Sequence, residues 1–278
     1  MTSKNFVTRM EENINRVDNR VNDYIKDSNE NNIHDIRIAI RRLDASFRAL
    51  PKKLRKKKKI YKYVTTSKRL FKINSQIRDY DLICEKLQKY SSEPINTKLT
   101  GSLKRRRKTK LATARKIALS LRDLAIPGIR ENDIQSKKLE MRFDKVVCTL
   151  RKRIELDLPV VLTNASKIKE LHEMRKDCKK LRYLLELVQH QNNNAIDSKE
   201  IHKVITELED IQDFLGSIHD SDITIAYLKR VRHPNEVSQI LHDEISERNK
   251  KYEDFIQFCK GTLSDSKHNF LNQIVHLT

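Results

Sequence analysis

The sequence predicts an all-α fold made of two copies of a four-helix unit, and three observations carry that expectation. Apolar residues recur at helical spacing along most of the chain, and no segment shows the sustained alternation that a half-buried strand requires. Only four Gly and five Pro punctuate the 278 residues, so the stretches between breaks are long. Two motifs also recur in the same order at nearly the same separation, the mark of an internal repeat.

The breaks set out the elements in order. A first helix opens in MTSKNFVTRMEENINRV and stops at the Asn-rich DSNENN of 27–32. The second carries IHDIRIAIRRL (33–43) and ends at Pro51, and the third opens in PKKLRKKKKIYK (51–62) and ends at Pro94. The fourth ends at Pro127, and Pro159, the Asn-rich QNNNAIDS of 191–198 and Pro234 separate the fifth to the eighth. Proline has no N–H to donate and, with the residue before it, disfavours helix continuation, while Asn clusters favour loops. Seven breaks thus give eight helices, with a joint between copies near Pro127-Gly128. The copies read as residues 1–127 and 128–278.

Aligning IHDIRIAIRRL on LHEMRKDCKKL (171–181), 138 residues on, superposes the apolar positions and the basic ones. His34, Arg37, Arg41 and Arg42 fall on His172, Arg175, Lys179 and Lys180. At an offset of 141, QIRDYDLICEKL (76–87) pairs with SIHDSDITIAYL (217–228), placing Asp79 and Asp81 on Asp220 and Asp222.

Charge is unevenly shared. The net charge is +20, and residues 1–135 hold 34 Lys+Arg against 15 Asp+Glu, whereas residues 136–278 hold 24 against 23. Such an excess favours polyanions or anionic surfaces as partners. The four cysteines have no metal-ligand or disulfide-framework spacing, which points to reduced thiols, no metal and a cytoplasmic protein. No apolar run approaches the roughly 20 residues of a membrane span, so no membrane association is expected. No HExxH, P-loop, GxSxG or dinucleotide fingerprint occurs, and no cofactor is expected.

At about 100° per residue, the apolar stripe of the second helix runs beside a file of His34, Arg37, Arg41 and Arg48. Asn32 is the expected N-cap before His34, and Asn164 or Ser166 the expected cap before His172. A helix start favours an anion, so each histidine is a candidate phosphate contact. Further basic clusters hold Lys52 and Arg55 in 51–62, Lys104, Arg105 and Lys108 in LKRRRKTK (103–110), and LRKRI at 150–154. The guanidinium fork suits phosphate because it bonds two oxygens at once. Asp79, Asp81, Asp220 and Asp222 read as ion-pair partners that orient basic side chains. The dipeptides His34-Asp35, His219-Asp220 and His242-Asp243 raise the alternative of a metal-dependent phosphohydrolase, which the guanidiniums of Arg37 and Arg41 disfavour by repelling a divalent cation.

IHDIRIAIRRL, its echo LHEMRKDCKKLRYLLEL, IRDYDLICEKL and LEDIQDFLGSIHDSDITIAYL together resemble the CHAD domain, the conserved histidine α-helical domain, over essentially the whole chain. The resemblance implies two four-helix bundles related by a pseudo-twofold axis, with a basic groove or channel between them that binds inorganic polyphosphate. It implies anion contacts from His34, Arg37, Arg41 and Arg42, and from His172, Arg175, Lys179, Lys180 and Arg182. Basic residues of each half's last helix contribute as well, Arg248 among them. It implies no catalysis, and recruitment to polyphosphate granules or phosphate storage. In the family such a domain often follows a triphosphate-tunnel catalytic domain, for which these residues leave no room. Asp44 departs from the pattern, because Arg182 holds the matching position. Nucleic acid, bound through the same basic surface, is the alternative partner; eight Phe, eight Tyr and no Trp advertise few stacking platforms.

Overall fold

The computed structural model describes residues 2–90, 94–189, 195–232 and 234–265. They form nine α-helices: α1 (Ser3–Lys26), α2 (Glu30–Ala49), α3 (Lys52–Arg55), α4 (Lys58–Gln88), α5 (Pro94–Arg122), α6 (Ser136–Thr163), α7 (Ile168–Leu185), α8 (Ala195–Leu228) and α9 (Ser238–Asp265). Short 3-10 turns cover Glu131–Asp133 and Pro234–Val237, and no strand occurs among the described residues. The all-α expectation holds.

Three local expectations are corrected. Pro159 does not end a helix; it lies exposed inside α6, one turn before the end, and its carbonyl accepts the Thr163 hydroxyl at 2.9 Å. The stop comes at Asn164, whose Oδ1 accepts the Ser166 N–H at 2.9 Å and the Ser166 hydroxyl at 2.6 Å, a local turn that competes with helix. The second helix starts three residues earlier than expected: Asn29, not Asn32, is the N-cap, and its Oδ1 accepts the Asn32 N–H at 2.9 Å. After Pro51 the chain makes an extra four-residue helix, α3, anchored by buried Leu54, before α4 begins. Pro94 and Pro234 each open a helical segment, as suits a residue with no N–H to lose. The Asn-rich break at 191–198 lies partly outside the described residues, and α8 is helical from Ala195.

The chain divides by compactness into unit 1 (residues 1–77, 108–149 and 183–198) and unit 2 (78–107, 150–182 and 199–278). Each unit draws on residues from both sides of the expected joint, and α4, α5, α6, α7 and α8 each contribute to both units. The compact units therefore do not follow the expected division at 127/128.

In unit 1, α1 buries Phe6, Met10, Ile14, Val17, Val21 and Tyr24, a spacing of three and four residues, and α2 answers with Ile33, Ile36, Ile40 and Leu43. Polar groups inside are matched: Tyr24 donates its hydroxyl to Asn74 Oδ1 at 2.9 Å, and Asn13 Nδ2 donates to Ser46 Oγ at 2.9 Å. These bonds fix the register of α1 against α2 and α4, and so the direction in which α2 presents its basic file.

In unit 2, Ile83, Leu87, Ile95, Leu103, Leu228, Val237 and Ile240 form one buried cluster. Leu171, Met174, Cys178 and Leu181 bury the apolar stripe of α7, and Phe214 packs against Phe255 and Phe258 at centroid distances of 6.3 and 4.8 Å. With that stripe sunk, α7 carries its histidine and basic residues at the edge of the core.

Candidate functional site

The predicted basic residues fall eight in each unit, so the site is built unit by unit. Over its residues unit 1 counts 30 Lys+Arg against 15 Asp+Glu, and unit 2 counts 28 against 23.

In unit 1, α2 positions Arg37 and Arg41 one turn apart and half-buried beside its apolar stripe. Both guanidiniums lie over the Phe71 ring of α4, at 5.9 and 5.2 Å from its centroid. An aromatic face attracts a cation, so the ring helps to orient both guanidiniums. Arg41 meets no carboxylate among the described residues. His34 stands apart: its side chain is 65% exposed, and its nearest ion-pair partner is the adjacent Asp35 at 3.5 Å. It lies a full turn inside α2, so the helix start is not where this histidine sits.

The other predicted residues of unit 1 are spent differently. Arg42 Nε donates to Glu186 Oε2 at 3.1 Å, and Arg48 Nε donates to Asp44 Oδ2 at 2.6 Å. The same Asp44 carboxylate pairs with Lys68 at 2.5 Å. Lys52 on α3 and Lys108 on α5 are exposed, while Arg55 is half-buried with its Nε screened from water.

In unit 2, α7 and α8 bring His172 and His219 together, with ring centroids 4.6 Å apart and the two Nδ1 atoms at 3.3 Å. One ring must carry the Nδ1 proton and the other accept it. Burial, followed by Arg175, His172, Lys179 and Lys176, pushes the His219 pKa down to about 3. His172 is lowered too, by burial and then by Lys176 and Arg175. Asp220 lies in the field of four cations, Arg175, Arg78, Lys179 and Lys251, although burial outweighs them and holds its carboxyl above the ordinary range. Arg175 and Lys179 thus converge with Arg78 and Lys251 around one half-buried carboxylate.

Lys180 pairs with the buried Asp177 at 2.5 Å, and Arg182 donates to Glu209. Arg248 is buried beneath the surface: its Nε donates to Asp222 Oδ1 at 3.0 Å and its Nη2 to the Ala165 carbonyl at 2.6 Å, just before α7. It holds the start of the helix that carries His172 and Arg175. Arg107 Nε donates to Asp81 Oδ1 at 2.5 Å. The ion-pair role expected of the aspartates is therefore met at Asp81 and Asp222. Lys104 and Arg105 are exposed on α5.

The structure brings together Arg37 with Arg41, sets Arg48 and Arg55 each near Arg142, and sets Arg175 near His172 and, with Lys179, near His219 and Asp220. It adds residues that sequence reasoning passed over: Phe71, Arg78, Lys251, Arg142 and His219 as the partner of His172. A signal existed for Arg78, which matches His219 at the offset of 141; for Phe71 and Arg142 the sequence holds none. His34 and His242 are the open histidines of the His-Asp dipeptides, at 65% and 80% side-chain exposure. No group of three or more His, Cys, Asp or Glu among the described residues is placed to hold a metal ion. No helix among them is long and apolar enough to cross a membrane.

Comparison with known proteins places these features in a family. The model of the CHAD domain matches residues 8–229. The crystal structure of the CHAD domain from the plant Ricinus communis superposes on all of this chain and on 91% of that one, with a TM-score of 0.57 and 14% identity. That likeness is one of fold. Among curated proteins, none matches the chain significantly.

Proposed function

The chain belongs to the CHAD domain family, and from that membership and its basic clusters we propose that it binds inorganic polyphosphate without chemically altering it. The observation that carries the proposal is the Arg37–Phe71–Arg41 arrangement, two guanidiniums set side by side over one aromatic ring, of which Arg41 meets no carboxylate among the described residues. Arg175 and Lys179, both near His219 and Asp220, give unit 2 a basic cluster of its own.

Polyphosphate offers a regular run of anionic oxygens and nothing else to read. Guanidinium forks and lysines meet that need, affinity grows with the number of contacts, and binding weakens steeply with salt through counterion release. Arg37, Arg41, Arg175 and Lys179 are the central contacts, with His172 beside them. Exposed Lys52, Lys104, Arg105 and Lys108 extend the positive surface. Arg248, Arg182 and Lys180 act as positioning residues through Asp222, Glu209 and Asp177. The basic groove between two bundles, cytoplasmic placement and recruitment to polyphosphate granules belong to the same proposal.

Nucleic acid shares the phosphate chemistry but adds bases that want aromatic platforms. Phe71 is already engaged by two arginines, which favours the polymer without bases. A phosphohydrolase built on the His-Asp dipeptides would need a divalent cation beside Asp220, where Arg175, Arg78 and Lys179 repel one. The test is a competition in which labelled long-chain polyphosphate is challenged with duplex and single-stranded nucleic acid at equal phosphate concentration, with phosphate release followed after adding divalent metal. The proposal expects weak displacement and no release. Strong displacement by nucleic acid, or metal-dependent release that vanishes in Asp79→Asn and Asp220→Asn variants, contradicts it.

A further inference from the structure

Arg142, in the second turn of α6, lies near two arginines of unit 1 from other helices, Arg48 in the last turn of α2 and Arg55 at the end of α3. Arg142 Nε donates to the Arg48 backbone carbonyl at 3.1 Å, which ties the two chain segments together. Arg55 is half-buried, and its Nε is screened from water with no hydrogen-bond partner. Among the described residues no carboxylate pairs with Arg55 or Arg142. The counter-charge to this group is Asp44, already shared between Arg48 and Lys68. Burial, then Arg55, then Arg48 make the Arg142 guanidinium less basic than usual, the signature of like charges crowded out of water.

A screened donor with no partner and half-buried like charges side by side are both costly, and an anion set among them relieves both costs. The extra turn α3, held down by buried Leu54, is what carries Arg55 to this place.

We propose that Arg48, Arg55 and Arg142 form a seat for a single phosphoryl group, taken either as inorganic phosphate or as one unit of a longer chain. Arg142 is its unassigned member. As a subsite for polyphosphate the seat rests on the reading above; as an oxyanion seat it is tested separately. Tetrahedral geometry matters, because three guanidinium forks can address different oxygens of one phosphoryl group.

The experiment uses the full chain and follows thermal unfolding in inorganic phosphate, and then in tripolyphosphate, against chloride at matched ionic strength. The wild-type Tm is expected to rise saturably with phosphate. Arg142→Met and Arg55→Met, which keep the apolar stems, are expected to weaken that response about tenfold. Arg142→Lys, which retains the charge and loses the fork, is expected to weaken it as well and serves if the methionine variant folds poorly by circular dichroism. A wild type that responds to phosphate no more than to chloride, or variants that respond as wild type does, overturns the seat. Response to phosphate alone assigns it to the free anion; response to both extends it to chains. Loss of long-chain binding with the phosphate response intact contradicts the polyphosphate reading and leaves the seat standing.

Discussion

Arg248 donates from its Nε to Asp222 Oδ1 at 3.0 Å in a setting where both side chains are nearly closed to water, at 7% and 10% exposure. Arg107 makes the same bond to Asp81 at 2.5 Å with more exposure, 29% and 20%. Each arginine follows its aspartate by 26 residues, and the two pairs stand 141 residues apart, the offset at which the surrounding sequences align.

The two pairs are expected to differ in worth because they differ in solvent. Arg248→Ala strands a buried carboxylate and the Ala165 carbonyl, a loss of about 3 kcal/mol by urea denaturation. Arg107→Ala is expected to cost about 1 kcal/mol, because water reaches its partner. Equal losses would show that burial does not set the difference.

Asp44 looked like a defect in the basic pattern, and the structure gives it a reason. Asp44 pairs with Lys68, while at the aligned positions Arg182 pairs with Glu209. The ion pair is kept with its charges exchanged. Asp44→Arg alone sets a cation against Lys68 and Arg48 and is expected to destabilise by about 1–2 kcal/mol, and adding Lys68→Glu is expected to recover most of it. A double variant no more stable than the single one would break the link between these positions.

What was legible in the sequence was what repeats. The helix class, the apolar stripes of α2 and α7, and the aspartates at Asp81 and Asp222 came from periodicity and self-alignment. What depends on distant partners did not. Pro159 reads as a stop, yet it sits on an exposed face near a helix end and is tolerated there. Arg248 reads as a surface cation, but only the fold shows Asp222 and the Ala165 carbonyl waiting for it. Arg142, alone in the mixed-charge stretch LEMRFDK (139–145), gains meaning only where Arg48 and Arg55 lie near it.

Acidification should act through His219. Its ordinary value is 6.5 and the fold holds it at about 3, so the unfolded chain takes the proton first. The stabilising contribution of this residue is present above about pH 6.5 and is lost progressively as the pH falls toward 3. Asp220 and Asp222, whose pKa values are raised by burial, act in the opposite sense. The comparison is therefore between wild type and His219→Gln: urea midpoints at pH 7.5, 5.5 and 4.5 should fall less steeply in the variant. Bound polyphosphate favours protonated His172, so affinity is expected to rise on going from pH 7.5 to 5.5.

Phe71 offers a separate check on how the arginines are held. Phe71→Leu keeps an apolar side chain and removes the ring face beneath Arg37 and Arg41. Polyphosphate affinity is expected to drop about threefold to tenfold with helicity unchanged, and an unaltered Kd would show that the ring does not position them.

The most direct test of polyphosphate binding is a titration with chains of defined length at two salt concentrations, using wild type and a variant with Arg37, Arg41, Arg175 and Lys179 all changed to alanine. Wild-type affinity is expected to grow with chain length and fall steeply with salt, and the variant is expected to bind far more weakly, with a shallower salt dependence and unchanged circular dichroism. Wild-type affinity indifferent to chain length and salt, or a variant that binds as wild type does, contradicts it.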